Sequence, residues 1–283
     1  MNTISYAAAL SLAAALAAPA AHAGVVNANN AGGDAYTNPT GSNQGQAIGA
    51  SGWYYNNVRN NASIGIDSSH PSNSNGSVAF NAPNNGKADI EFLAGAINDG
   101  GNYKAMQSLG LFSTLVSMSY DWYRDGSSTA SANQHPSLRV LIDLDGNLST
   151  NDRGGLVFER VYNANPSYPV DTWVSDLVDA NTKVWGFGLG ADPNGGYAYD
   201  SSLADWQAFL SPTATIVGFS SGVGSGWGPF SGAVDNIAWN IGGVTTSTNF
   251  ELAVADVPEP ATLGLLAIGA LGLAARRRRN PDR

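Results

Sequence analysis

The 283-residue chain has no cysteine. An exported domain is free to use disulfides, so a chain without any must hold its fold by core burial. Positive charge is also scarce: 13 Lys and Arg stand against 22 Asp and Glu. Five of the cations lie in the last eight residues. Between Gly24 and Val257, 8 Lys and Arg face 20 Asp and Glu, a net charge of −12. A phosphate backbone is bound by clustered cations, which excludes nucleic acid as a partner. An acidic body is kept in solution and repels other anionic polymers unless cations bridge them. This span holds only three Glu (Glu91, Glu159 and Glu251), and nothing in the sequence pairs them. Glycosidases need two carboxyl groups facing each other. His70 and His135 each precede Pro in turn-like contexts and read as surface loop residues. No Gly-x-Ser-x-Gly elbow, His-Glu-x-x-His pair or Gly-x-x-x-x-Gly-Lys loop occurs. These absences argue against an enzyme. No repeat of 20 to 50 residues and no interior linker is visible, so one domain is expected over 24–254.

What the body does contain is Gly, Asn, Ser and Thr in abundance, with 17 Trp and Tyr among short β-branched runs. Such runs separated by turn residues predict an all-β fold, a single antiparallel sandwich. Strands are expected at 53–58, at 62–67 (able to pair with the first), and at 76–81 and 87–93 joined as a hairpin through Ala82–Gly86. In Lys87–Leu93, Ala88, Ile90 and Phe92 share one face, opposite a wet face of Lys87, Asp89 and Glu91. Residues 109–123 read as a strand bent near Thr114. Further strands are expected at 138–144, 155–162, 170–178, 183–189, 213–223, 230–241 and 249–254, the last at an edge. One short helix is predicted over 202–210. Ser202 caps it, Asp205 completes a capping box, and Pro212 bars its continuation.

Both ends look like addresses. Residues 1–23 form an Ala/Leu-rich signal peptide ending in Ala21-His22-Ala23, whose small residues suit a signal peptidase. Residues 255–283 run from Val257-Pro258-Glu259-Pro260 through an apolar helix at 261–275 to Arg276, Arg277, Arg278 and Arg279. Fifteen helical residues span about 22 Å, short of the roughly 30 Å of a bilayer core. The arginines hold the C-terminus inside. The segment therefore suits a transient membrane stage.

This tail resembles the PEP-CTERM sorting signal of Gram-negative bacteria, in its Pro-Glu-Pro triplet, short apolar helix and terminal Arg cluster. The resemblance implies processing by an exosortase, a membrane-embedded, cysteine transpeptidase-like enzyme that recognises Pro258, Glu259 and Pro260. The exported body would then reach the cell surface or exopolysaccharide matrix. The segments LRVLIDLDGN, DRGGLVFERVY and VGSGWGPFSGAVDNIAWNIGG resemble those of bodies carried by many such proteins. Their general form is similar to jelly-roll, lectin-like sandwiches, a likeness of fold that assigns no activity.

Two constellations remain. Asp143, Asp145 and Asp152 lie in a loop with Gly146, as in Ca²⁺-binding loops, but Leu141 stands where the first ligand belongs. A β-turn whose Asp and Asn bond their own backbone is the competing reading. Sugar stacking on aromatic rings nominates Trp227, in a Gly/Ser/Pro loop, and Tyr197 and Tyr199, in a second Gly-rich loop, with polar help from Asp235 and Asn236. The body is thus expected to bind extracellular polysaccharide without catalysis or to serve as a structural module. A glycan hydrolase and a ligand-free matrix component are the alternatives. The mature protein isolated from cells should begin at Gly24 and lack the Arg cluster by mass spectrometry. Recovery of intact Arg276–Arg279 from the surface fraction would overturn the sorting expectation.

Overall fold

The computed structural model describes residues 22–164, 167–195 and 199–253. Ala21, Tyr197, the Pro258–Pro260 triplet, the expected 261–275 helix and Arg276–Arg279 lie outside them. Among the described residues no helix is long and apolar enough to cross a membrane.

The first strands are β1 (His22–Asn27), β2 (Tyr36–Asn38), β3 (Gln44–Ala47), β4 (Trp53–Arg59), β5 (Ala62–Ser72), β6 (Gly76–Ala82) and β7 (Lys87–Leu93). A small hairpin follows, β8 (Ile97–Asp99) with β9 (Asn102–Lys104), then β10 (Gly110–Leu111) and β11 (Leu115–Arg124). The rest are β12 (Ser137–Asp143), β13 (Arg153–Phe158), β14 (Trp173–Val178), β15 (Trp185–Phe187), β16 (Thr215–Val223), β17 (Phe230–Ile241) and β18 (Val244–Glu251). The one α-helix among the described residues, α1 (Leu203–Phe209), precedes β16.

The chain is all-β, a sandwich of two eight-stranded sheets. One sheet runs β1-β18-β17-β6-β5-β2, with β11 pairing β17 and β14 pairing β11. The other runs β15-β13-β12-β16-β7-β4-β3, with β10 on β16. Alternation puts Ile64, Ile66, Val78, Phe80, Trp122, Val234 and Ile237 of the first sheet in the core, against Tyr55, Ile90, Val140, Ile142, Leu156 and Phe219 of the second. Aromatic rings knit the two layers. Trp53 meets Phe250 edge-on at 4.9 Å, and Phe219 stacks on Trp239 at 4.4 Å and 9°.

Several strand pairings differ from the sequence expectation. β5 pairs β2 and β6, and β4 pairs β3 and β7, so these two strands lie in opposite sheets. Residues 83–86 carry the chain between sheets and make no hairpin. Both β6 and β7 have one fully apolar face, and both faces bury only if the strands oppose each other across the core. Residues 109–123 are broken at a 3-10 turn, Phe112–Thr114. α1 forms with its capping box intact: Asp205 N–H donates to Ser202 Oγ, and Ser202 N–H donates to Asp205 Oδ2. Its Leu203 and Trp206 enter the core, and Trp206 Nε1 donates to the Val184 carbonyl at 3.0 Å.

His135 is not a surface residue. It is 2% exposed and stacks on Trp122 at 4.4 Å. Its Nε2 accepts the Arg160 N–H at 3.3 Å, and burial pulls its pKa down to about 4. The ring is therefore neutral in the fold. Phe219→Ala should cost about 3–5 kcal/mol through the cavity left beside Trp239. This would appear as a lower urea midpoint at constant m. A loss below ~1 kcal/mol would contradict a close-packed ring.

Candidate functional site

The face of the second sheet that turns away from the core carries a groove. Its floor is set by the register. Arg139 on β12 stands opposite Ser220 on β16, Ser220 opposite Glu91 on β7, and Glu91 opposite Tyr54 on β4. The next row is Ser137, Gly222, Asp89 and Asn56. The central strand β16 offers only Ser220 and Gly222 to these rows, so neighbouring side chains lean over it. A Cβ at Gly222 would overlap Asp89 Oδ1, and one at Gly155 on β13 would meet the Phe187 ring. Two adjoining cavities, about 410 and 510 Å³, share Asn57, Glu91, Leu141 and Phe187 and form one open trough.

The predicted wet face of β7 is therefore the floor of a cleft. Asp89 is 1% exposed and Glu91 5%. Arg139 Nη1 donates to Asp89 Oδ1 at 2.7 Å, and Lys87 Nζ lies 3.3 Å from Asp89 Oδ2. A bulge in β4 places Asn57 at φ 52°, which turns its amide inward. Asn57 Nδ2 donates to both Asp89 Oδ2 and Glu91 Oε1 at 3.0 Å, and Asn56 Nδ2 donates to Glu91 Oε2 at 2.6 Å. Burial opposes ionisation of Asp89, but the Arg139 and Lys87 charges outweigh it and hold the carboxyl below the usual range. Glu91 has no cation of its own. Burial, with the Asp89 charge second, lifts it to about 7. Two adjacent carboxyls thus differ in protonation near neutral pH.

Aromatic rings edge the trough. Trp185 lines it, its Nε1 donating to Glu159 Oε2 at 3.0 Å, and burial raises the Glu159 pKa. Trp227 lines the same end and packs edge-on to Phe230 at 5.6 Å. At the other end the β8–β9 hairpin sets Tyr103 on the wall, 4.2 Å from Tyr54. Tyr199 lies edge-on to Trp185 at 5.8 Å and stacks on Tyr162 at 3.7 Å. Of the residues nominated from sequence, the structure places Trp227 in the groove and Tyr199 beside it. Asp235 and Asn236 sit on β17 of the other sheet, where they cannot serve Trp227. Asp235 is fully buried, and Asn236 donates to Asp121 Oδ2 at 2.6 Å. Their proximity to Trp227 in sequence is undone because β17 belongs to the first sheet.

The Asp143–Asp152 loop brings one ligand oxygen from each of Asp143, Asp145 and Asp152 within 4.8 Å of the others. The turn's own donors already engage these groups. Gly146 N–H donates to Asp143 Oδ1, Asn147 N–H to Asp145 Oδ1, and Thr150 Oγ1 to Asp152 Oδ1. Arg153 Nε adds an ion pair to Asp143 at 3.2 Å. Sequence reasoning missed Asn56, Asn57, Arg139, Glu159 and Trp185. The available signal was a charged residue at alternate positions of two strongly apolar strands. Their convergence depends on the order β12-β16-β7.

Beyond the described residues, positions 256–279 match the PEP-CTERM protein-sorting motif. The chain carries a PEP-CTERM sorting tail. That motif implies an exported protein that is handled by an exosortase after a transient membrane stage. Comparison with curated proteins by sequence gives no match. Among solved structures, a family 11 carbohydrate-binding module from Clostridium thermocellum, in complex with a β-1,3-1,4-mixed-linked tetrasaccharide, is similar at 13% identity. The overlap covers 71% of this chain and 96% of that one, with a TM-score of 0.36. A native family 12 xyloglucanase from Bacillus licheniformis is similar at 13% identity over 74% of this chain and 100% of that one, with a TM-score of 0.40.

Glu91 makes stability depend on pH. Its carboxyl rests near 7 in the fold against an ordinary value of 4.5. The folded state therefore holds the proton more tightly, and this contribution is full below 4.5 and lost as pH rises through 7. Between pH 5 and 8 the wild type should lose on the order of 2–3 kcal/mol more than Glu91→Gln, measured by urea unfolding. Equal slopes would mean that Glu91 is already ionised in the fold.

Proposed function

We propose that the exported body of this PEP-CTERM protein is a non-catalytic module that binds an extended extracellular polysaccharide along the groove of the second sheet. The observation that carries this reading is an open trough with a prearranged polar floor and an aromatic rim. Asp89, Glu91, Asn56, Asn57 and Arg139 already fix one another, so little ordering is needed when hydroxyl groups arrive. Trp185 and Trp227 at one end and Tyr103 at the other offer faces to the C–H surfaces of successive sugar rings. Four of the eight Lys and Arg between Gly24 and Val257 line the trough: Lys87, Lys104, Arg139 and Arg153. They balance the local carboxylates, so a polymer repelled by the acidic exterior meets a neutral channel here.

Two features speak against hydrolysis. The strand positions that carry Glu91, on β7, and Glu159, just beyond β13, lie three inter-strand steps apart, about 14 Å of backbone separation. Catalytic pairs stand about 5–5.5 or 6.5–9.5 Å apart. The nearer carboxylate, Asp89, has both oxygens engaged by Arg139, Lys87 and Asn57. Delivery of such a binder to the surface or matrix is what the sorting tail provides. Affinity electrophoresis in gels containing neutral and acidic polysaccharides tests the reading. A polysaccharide that retards the wild type should bind Trp185→Ala and Trp227→Ala at least tenfold more weakly, with melting temperatures kept within a few degrees. Reducing ends released by the wild type and abolished in Glu91→Gln would replace binding with hydrolysis.

A further inference from the structure

β17 changes partner partway along one edge. Its other edge pairs β11 from Gly232 to Ile241. The divided edge pairs β6 over Phe230–Val234 and β18 over Ile237–Ile241. Asp235 and Asn236 fall in the gap, with Asn236 at φ 50°. Asp235 is 0% exposed. Its Oδ1 accepts the Phe250 N–H at 2.9 Å, in place of a ladder bond. Its Oδ2 is buried without any partner, and so is Oδ1 of Asn249, the residue beside Phe250. Two residues on, Glu251 is 6% exposed, and its carboxylate accepts Asn249 Nδ2 and the Asn75 N–H, each at 2.7 Å. Asp121 stands opposite Asp235 on β11. None of the five ion pairs among the described residues includes Asp121, Asp235 or Glu251.

Asp235 and Glu251 are therefore both buried at a fork in the sheet, and neither has an ion-pair partner among the described residues. A buried carboxylate oxygen with no donor is strongly unfavourable, and a cation bound there would satisfy it together with the orphaned amide oxygen of Asn249. All the available atoms are oxygens, the donor set of hard cations.

We propose that the β6–β17–β18 fork is a binding site for a divalent cation of the Ca²⁺ class, held by Asp235 Oδ2, Asn249 Oδ1 and Glu251. Such an ion would tie β17 and β18 to the Asn73–Asn75 turn that precedes β6. The site is separate from the groove and from the Asp143–Asp152 loop, whose acids are engaged by the loop's own donors and by Arg153.

The test is thermal unfolding of the full chain, stripped with chelator and titrated with Ca²⁺. At a hundredfold excess over Kd, the wild type and Asp145→Asn should both gain roughly 5–10 °C. Asp235→Asn, nearly isosteric, should melt at or above the metal-free wild type and gain nothing from Ca²⁺. Glu251→Gln should weaken the response at least tenfold in Ca²⁺ concentration. No Ca²⁺ response in the wild type would overturn the proposal. So would a response that survives Asp235→Asn and disappears in Asp145→Asn, which would place the ion in the loop.

Discussion

The carboxylate of Asp89 is the constraint from which the groove follows. A charge buried on a sheet face must be neutralised and hydrogen-bonded or the fold will not hold it. Arg139 reaches it from two strands away, across a β16 whose groove-facing positions are cut down to glycine and serine. Lys87 and Asn57 take the remaining oxygen. Meeting this demand engages both nearby cations and leaves Glu91 paired with amides alone, while burial and the Asp89 charge raise its pKa. The same small residues that let Arg139 and Asp89 meet also lower the floor and make the trough. Shape and electrostatics thus share one cause.

Much of the fold was legible because period-two patterning is local. The helix was readable from Ser202, Asp205 and Pro212, and the buried β16 from its unbroken apolar and small residues. What failed was adjacency. Ala82–Gly86 has hairpin chemistry but spans the two sheets, because the apolar faces of β6 and β7 must oppose each other. The groove was hidden for the same reason. Lys87, Asp89 and Glu91 read as a solvated face until β12 and β16 are placed beside them. Trp227 was found because a tryptophan in a Gly/Ser/Pro loop has no evident place in a core. His135 was misread because nothing local announces the stack on Trp122.

The tail and the body pose opposite problems. A sorting signal is recognised as a linear string, so its three parts can be read directly from the residues. A groove is recognised as a surface, assembled here from strands far apart in the chain, such as β4 and β15. With no cysteine to clamp it, that surface rests on the aromatic stack between the layers and on buried polar networks, each of which must be fully satisfied.

The parallel pairing of β1 with β18 has a mechanical meaning. β18 is the last described strand before the sorting tail. In a mature chain beginning at Gly24 it is gripped by β1 over Gly24–Asn27 and by β17 over Ile237–Ile241. Tension applied to the chain beyond residue 253, against a polymer held in the groove, would run along β18. That load falls on both ladders in shear, so their hydrogen bonds resist together and do not open one at a time. β18, expected at an edge but held between β1 and β17, thereby becomes the element best placed to carry force.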